Sequence, residues 1–185
     1  MPTPARTSVA EIVAAGRSIL EADGLDGLTM SRVAHAVGVR APSLYKRVRD
    51  RGDLIRRMAN DIARELAGTL DAAATSGEPR TDLRAIADAF RGFALAHPEG
   101  YTLLFARLPE DARLDLELNV RASEALLRTA AELAGQEHAL EAARTFVAWA
   151  NGFVSMELAG AFRMGGDIDR AFIYGVDRLT RAIES

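Results

Sequence analysis

The chain has 185 residues, 49% of them hydrophobic and 26% charged, with a formal net charge of −3 and no cysteine. That length suits one domain or two small ones with a real core, and the missing thiols exclude a disulfide framework, thiolate zinc sites and cysteine nucleophiles. The start, MPTPARTSVAEIV, lacks the apolar segment of a secretory leader, and no window approaches the roughly 18 continuous apolar residues of a membrane span; a soluble, cytoplasmic protein with no membrane contact is expected.

Alanine, leucine, arginine and glutamate dominate, no stretch alternates with period two, and Gly and Pro fall between the periodic segments, so the expected class is all-α. Ser8 with Glu11 three residues on has capping-box spacing, and it opens a helix whose face is Val9, Ile12, Val13, Ile19 and Leu20 and whose end is Gly24. Thr29 caps a second helix with Met30, Val33, Ala34 and Val37 on one side, and Gly38 supplies the left-handed residue that stops it. Pro42 suits the first turn of a short third helix with Leu44 and Val48 turned inward. Asp50 caps a long fourth helix, about 51–70, with Leu54, Ile55, Met58, Ile62 and Leu66 on one face. AAATSGEPRTD (72–82) reads as a linker, and further helices are expected at 80–96, 99–106, 109–134, 137–164 and 168–184.

The charge is uneven. From Arg32 to Arg57, eight Lys/Arg (32, 40, 46, 47, 49, 51, 56 and 57) face Asp50 and Asp53, which gives +6 and leaves −9 for the rest of a chain whose total is −3. A basic patch on an acidic body suggests a local polyanion contact; a solvated arginine-rich helix face is the alternative, and charge alone does not separate them. The second and third helices, joined by about four residues containing Gly, form a helix-turn-helix, whose second helix enters the major groove. Arg40 and Ala41 then stand at the start of that helix, Ser43, Lys46 and Arg47 face outward, and Tyr45 and Arg51 flank it within reach of phosphates. Arg51 lies at a helix N-terminus, where backbone N–H groups favour an anion. With Thr29 and Pro42 these make the candidate DNA-contact set, and double-stranded DNA is the expected partner.

LTMSRVAHAVGVRAPSLYKRVRDRGDLI resembles the helix-turn-helix of the TetR/AcrR family, over roughly residues 8–57 with the motif near 30–49. The matching points are Leu28-Thr29, Val33-Ala34, Gly38-Val39, Leu44-Tyr45 and Leu54, and Pro42 and Val48 are similar to the tetracycline-repressor branch. The resemblance implies phosphate contacts from Tyr45, from Arg47 in place of a histidine and from Arg51 in place of a lysine. Arg40 occupies the position where the family often has a capping serine, and Ala41 has no polar group for base readout, so specificity shifts to Arg40, Ser43 and Lys46. HPEGYTLLFA resembles the family's His-Pro-x-x-Tyr stretch. FVAWANGFVSMELAGAFRMGGDIDRAF is similar to one C-terminal type, with Asn151 in place of its histidine. The resemblance implies a three-helix DNA-binding domain (8–68) and a helical-bundle ligand-binding and dimerisation domain (80–185). It further implies a repressor, released by a small-molecule effector from a near-palindromic operator read by a homodimer.

In that second domain an apolar effector pocket is expected between the helices at 80–134 and 137–164. Its walls are Phe93, Tyr101, Phe105, Leu118, Trp149, Phe153 and Met156, with Arg121, Asn151 and Glu157 as orienting polar groups. Phe146, Trp149 and Phe153, with the seam Ile168, Phe172, Val176, Leu179 and Ile183, are the expected dimer interface. Arg91 and Glu157 sit inside apolar runs and each needs a partner, whether a salt bridge, a ligand or a dimer mate. His35, His97 and His138 have no metal spacing, and Asp167 and Asp169 after Gly-Gly read as a helix start rather than a metal loop. No phosphate loop or nucleophile elbow is present. No metal, cofactor or enzymatic activity is expected. A helical small-molecule-binding protein without DNA-binding activity is the competing function, and the basic outward face of the third helix argues against it.

Overall fold

The computed structural model describes residues 7–184, and every regular element among them is helical. In chain order these are α1 (Val9–Gly27), α2 (Met30–Ala36), α3 (Ala41–Leu44), α4 (Arg51–Ala73), α5 (Pro79–Ala96), α6 (Pro98–Phe105), α7 (Leu116–Ala134), α8 (Ala139–Leu158) and α9 (Ile168–Ile183), with a 3-10 turn at Glu110–Ala112. They form two compact units. One runs up to Arg64 and takes in His97–Asn119; the other comprises Glu65–Ala96 and the chain from Val120 onward.

Local chemistry sets the helix ends of the first unit. Ser8 Oγ accepts the Glu11 N–H at 3.1 Å while the Ser8 N–H donates to Glu11 Oε2 at 2.7 Å, a complete capping box. Gly24, at φ +68°, breaks the regular helix where the sequence predicts its end, and one further turn carries α1 to Gly27. Thr29 Oγ1 accepts from the Arg32 N–H at 3.3 Å to start α2. At its other end, Gly38 at φ +69° lets its own N–H reach His35 O and the Val39 N–H reach Ala34 O, so the last carbonyls are satisfied. Asp50 Oδ1 takes the Asp53 N–H at 2.8 Å and opens α4.

Ile12 and Leu20 of α1, Leu28, Val33, Leu44, Val48 and the α4 residues Leu54, Met58 and Ile62 are buried together with Tyr101 and Leu103 of α6. Each such aliphatic side chain contributes about 1.5–3 kcal/mol relative to exposure. Gly100 permits a close approach within this unit, because a Cβ there would lie 2.9 Å from Glu21 Oε1 and 3.3 Å from Ile62 Cδ1.

In the second unit α5 packs against α8 and α9, and α8 against α9. Leu83, Ile86, Phe90 and Phe93 of α5, Phe146, Ala150 and Val154 of α8, and Phe172 and Val176 of α9 are buried. The expected linker is shorter than its composition suggests, since only 74–78 lie outside helices. Asp82, in the first turn of α5, reaches back to accept the Ser76 N–H at 2.8 Å and the Gly77 N–H at 3.3 Å. Hydrogen bonding from Ser76, and then Gly77, holds its carboxyl below the usual carboxylate range.

Two expected helices differ. The sequence predicts 109–134, but α7 begins at Leu116: the 3-10 turn follows Pro109, and the Asp115 carboxylate is occupied by Asn60 Nδ2 at 2.6 Å and Arg56 Nη1 at 3.3 Å. The helix predicted at 137–164 stops at Leu158, because Gly160 turns left-handed at φ +61° and closes the helix. Its N–H donates to Glu157 O and that of Ala161 to Met156 O, each at 2.9 Å, the arrangement already seen at Gly38. No helix among the described residues is long and apolar enough to cross a membrane.

Candidate functional site

Leu44 and Val48 claim the inner side of α3 and the turn after it, so the remaining side chains face water. Arg40, Pro42, Ser43, Tyr45, Lys46 and Arg47 are exposed, Tyr45 by 50%, and Ala41 is half-buried. Pro42 sits in the first turn, where its missing N–H costs nothing. Arg40 precedes the helix without making a side-chain cap. Thr29 is exposed; its hydroxyl oxygen serves α2, which leaves its proton available to an acceptor.

The eight cations between 32 and 57 divide sharply. Arg32 pairs with Asp23 and donates to Gly27 O at 2.8 Å. Arg49 Nε holds Asp50 Oδ2 at 2.8 Å, Arg56 Nη2 holds Asp53 Oδ1 at 3.0 Å, and Arg57 Nε holds Asp53 Oδ2 at 3.1 Å. Arg51, expected to anchor a phosphate, spends Nε on Leu28 O at 2.8 Å and Nη2 on Leu25 O at 2.6 Å. It therefore ties the start of α4 to the end of α1, yet keeps its charge, since carbonyls do not neutralise it, and has three N–H groups to spare. Among the described residues, Arg40, Lys46 and Arg47 have no ion-pair partner. All three lie on or beside α3. The sequence patch of +6 thus resolves into four cations paired with carboxylates, Arg51 held by carbonyls with its charge intact, and three presented cations.

Asp53 is the residue that sequence reasoning missed. It is 4% exposed, and besides the two guanidiniums it accepts the Arg49 N–H at 3.0 Å. Burial alone would raise its carboxyl, but the Arg49 N–H, Arg56 and Arg57 outweigh that and hold it below the ordinary range. The available signal was Asp50 three residues before Asp53, which is capping-box spacing. Two more links were also missed. Asn60 and Asp115 exchange a pair of hydrogen bonds, with the Asp115 N–H returning to Asn60 Oδ1 at 3.0 Å. Glu21 accepts the Gly100 and Glu99 N–H groups at 2.9 and 3.2 Å, capping α6 where His97 gives no side-chain cap.

An open cleft of about 820 Å³ lies beside α1 and α4, lined among others by Arg17, Glu21, Arg56, Arg57, Asn60, Asp61 and Arg64. Its charges face one another: Arg17 and Arg64 both hold Asp61, at 2.8 and 3.2 Å. This cleft is lined by residues of the first unit.

The expected pocket residues are divided between the units. Tyr101, Phe105 and Leu118 belong to the first, where the Tyr101 and Phe105 rings lie 5.1 Å apart. Phe93, Arg121, Trp149, Asn151, Phe153, Met156 and Glu157 belong to the second. There, Trp149 stacks on Phe172 at 5.4 Å, and Phe153 meets Trp149, Phe172 and Phe162 at 5.7, 5.2 and 4.8 Å. Gly175 makes the stack possible, since a Cβ there would lie 2.1 Å from Trp149 Cζ2. Arg121 and Met156 are exposed, and Asn151 is half-buried. Glu157 is bound to Arg91: Nε to Oε2 at 2.8 Å and Nη2 to Oε1 at 2.5 Å, with Asp169 Oδ1 at 2.6 Å from the same Nη2 and the Phe172 ring 5.0 Å away. Glu157 raises the Arg91 guanidinium well above its ordinary value, so it stays charged. The seam drawn from the sequence of α9 turns towards its own chain: Phe172, Val176 and Phe146 are buried here, and Ile168, Leu179 and Ile183 are half-buried. The described residues hold no cluster of three or more His, Asp or Glu placed for a metal ion.

Residues 6–58 match the family model of bacterial regulatory proteins, tetR family, and residues 83–179 match the tetracyclin repressor-like, C-terminal domain. Rv0681, an uncharacterized HTH-type transcriptional regulator of Mycobacterium tuberculosis, is 29% identical over 98% of this chain and 84% of its own length. The solved structure of a protein of unknown function from Rhodococcus sp. RHA1 superimposes with a TM-score of 0.86 at 25% identity, covering 100% of both chains. A TetR variant from Acinetobacter baumannii AYE, in complex with minocycline, gives a TM-score of 0.70 at 25% identity over 94% of this chain and 97% of its own.

Proposed function

Because the chain belongs to the tetR family of bacterial regulatory proteins, as a DNA-binding transcriptional regulator and not an enzyme, we propose that it is a repressor that a small, largely apolar effector releases from its operator. The observation that carries the DNA-binding side is the group of three cations without ion-pair partners, Arg40, Lys46 and Arg47, held beside exposed Tyr45 and Ser43 on α3. Phosphate contacts from Tyr45, Arg47 and Arg51 position the helix, and Arg40, Ser43 and Lys46 read base edges in the major groove. The DNA reader is residues 8–68, and residues 80–185 bind effector and a second copy. It acts in the cytoplasm, where the chromosome is.

A homodimer places two recognition helices about 34 Å apart on one side of the duplex, which calls for a near-palindromic site. Its partner copy meets the half-buried Ile168, Leu179 and Ile183, since Phe172 and Val176 are already covered. The effector binds the conformation that does not fit DNA better than the one that does, and lowers operator affinity by that difference. A relative at 25% identity is complexed with minocycline, which favours a small-molecule effector. Arg121 and Asn151 are the preferred orienting groups, because a ligand at Glu157 would have to displace Arg91.

Electrophoresis of the protein with fragments of its own upstream DNA tests the reading, followed by addition of metabolite pools. Retarded bands that metabolites abolish are the expected result. Failure to retard any fragment would favour the purely ligand-binding alternative.

A further inference from the structure

Of the five cations that the reader keeps engaged, two answer to a single carboxylate. Asp53 has a side chain only 5% exposed, with Oδ1 against Arg56 and Oδ2 against Arg57. The two arginines are themselves 34% and 37% exposed, so their guanidiniums lie at the surface. They stand five and six residues beyond Arg51 on the same helix, α4, a rise of about 8 Å. We propose that Asp53 limits the backbone affinity of the DNA reader: as an internal counterion it withholds Arg57, and in part Arg56, from phosphate and leaves that contact to Arg51 and the cations of α3. The inference rests on the reading of α3 as a DNA-binding helix.

Phosphate contacts strengthen every sequence alike, so each added cation raises binding to the many competing sites as much as to the operator. A carboxylate that stands in for phosphate removes that contribution without removing the arginine from the fold. The two arginines differ in what remains to them. Arg56 also holds Asp115 at 3.3 Å, whereas Asp53 is the one carboxylate paired with Arg57 among the described residues. Arg57 is therefore the group that loss of the Asp53 charge sets free. The same carboxylate also accepts the Arg49 N–H, a capping bond that an asparagine oxygen can make as well. Asp53→Asn thus separates the counterion from the cap.

The full-length protein would be titrated with a random-sequence duplex and with a duplex from its own upstream region at several salt concentrations. Asp53→Asn should steepen the slope of log affinity against log salt by about one unit on both duplexes, tighten binding to both by a similar factor and leave the ratio between them unchanged. Arg57→Gln should leave the wild-type slope unchanged, whereas Arg47→Gln should flatten it by about one unit, and Arg57→Gln added to Asp53→Asn should restore the wild-type slope. A wild-type slope in folded Asp53→Asn, or a flattened slope in Arg57→Gln, overturns the proposal. If Asp53→Asn loses its helical circular dichroism, Arg57→Gln decides alone. Wild-type protein without salt-dependent binding to either duplex would overturn the DNA-binding reading itself, and the inference with it.

Discussion

Arg91 in α5 and Arg47 in α3 carry the same guanidinium in opposite circumstances. Arg91 is 14% exposed and faces Glu157, Asp169 and the Phe172 ring, whereas Arg47 stands in water without an ion-pair partner. Taking a charge out of water requires partners on the spot, so the cation in the second unit is answered entirely within the chain. A cation left in water has no such requirement and stays available to a polyanion. The difference decides which arginines hold the fold and which act on something else, and residue type or charge density decides neither.

The comparison breaks most visibly at Glu157. Glu157→Ala leaves a largely buried guanidinium with only Asp169 and should cost about 3 kcal/mol in urea unfolding. The double change Arg91→Met with Glu157→Met should fall within about 1 kcal/mol of wild type, because no orphaned charge remains. A single change no worse than the double would mean that Arg91 does not depend on its partners. Next in size, Gly175→Ala should cost about 1–3 kcal/mol in thermal melts, since Trp149 must move off Phe172 to admit the methyl group.

Arg51 sits between the two extremes, engaged but not neutralised. Arg51→Ala should lose about 1 kcal/mol of stability with its carbonyl bonds and flatten the salt dependence of DNA binding by about one unit. Arg51→Lys should keep the salt dependence. Arg47→Ala should change stability by less than about 0.5 kcal/mol while flattening the salt dependence by about one unit; a stability loss there would show that the residue is not idle in the fold. The least effect at neutral pH comes from protonation of Asp53. Its folded carboxyl lies below the unfolded value of about 3.9, so its stabilisation is complete above that value and is lost as pH falls through the folded one. Wild type and Asp53→Asn should therefore differ in urea midpoint at pH 6 and converge towards pH 2.

Features closed by residues three or four apart were legible in the sequence. Ser8 with Glu11, the Thr29 cap, Gly38 and Asp50 each form the local bond that their spacing implies. Gly160 is equally local, but a glycine in an apolar run suits close helix approach as well as a helix end, and the helix expected at 137–164 stops at Leu158. Sequence also marked Arg91 and Glu157 as charges in need of partners, but not that they serve each other across 66 positions. A separation of 55 positions likewise hid the Asn60–Asp115 exchange, and with it the late start of α7. At the reader, the charge excess was legible but its division only in part: Asp53 pairs with Arg56 and Arg57 three and four residues on, within local reach, whereas Asp23 and the carbonyls of Leu25 and Leu28, which engage Arg32 and Arg51, are brought near only by the folded chain.

Trp149 is the sole tryptophan of the chain, and it lies against Phe172 with Gly175 beneath it. The molecule therefore carries a built-in optical reporter seated entirely in the α8–α9 packing, while Tyr45 and Tyr101 absorb from the other unit. Emission excited at the indole edge follows the second unit alone, whereas far-ultraviolet dichroism follows all the helices. Superimposable denaturation curves from the two signals would mean that both units melt as one cooperative body. Curves that part company would give each unit its own melting point, without a label or a truncated chain.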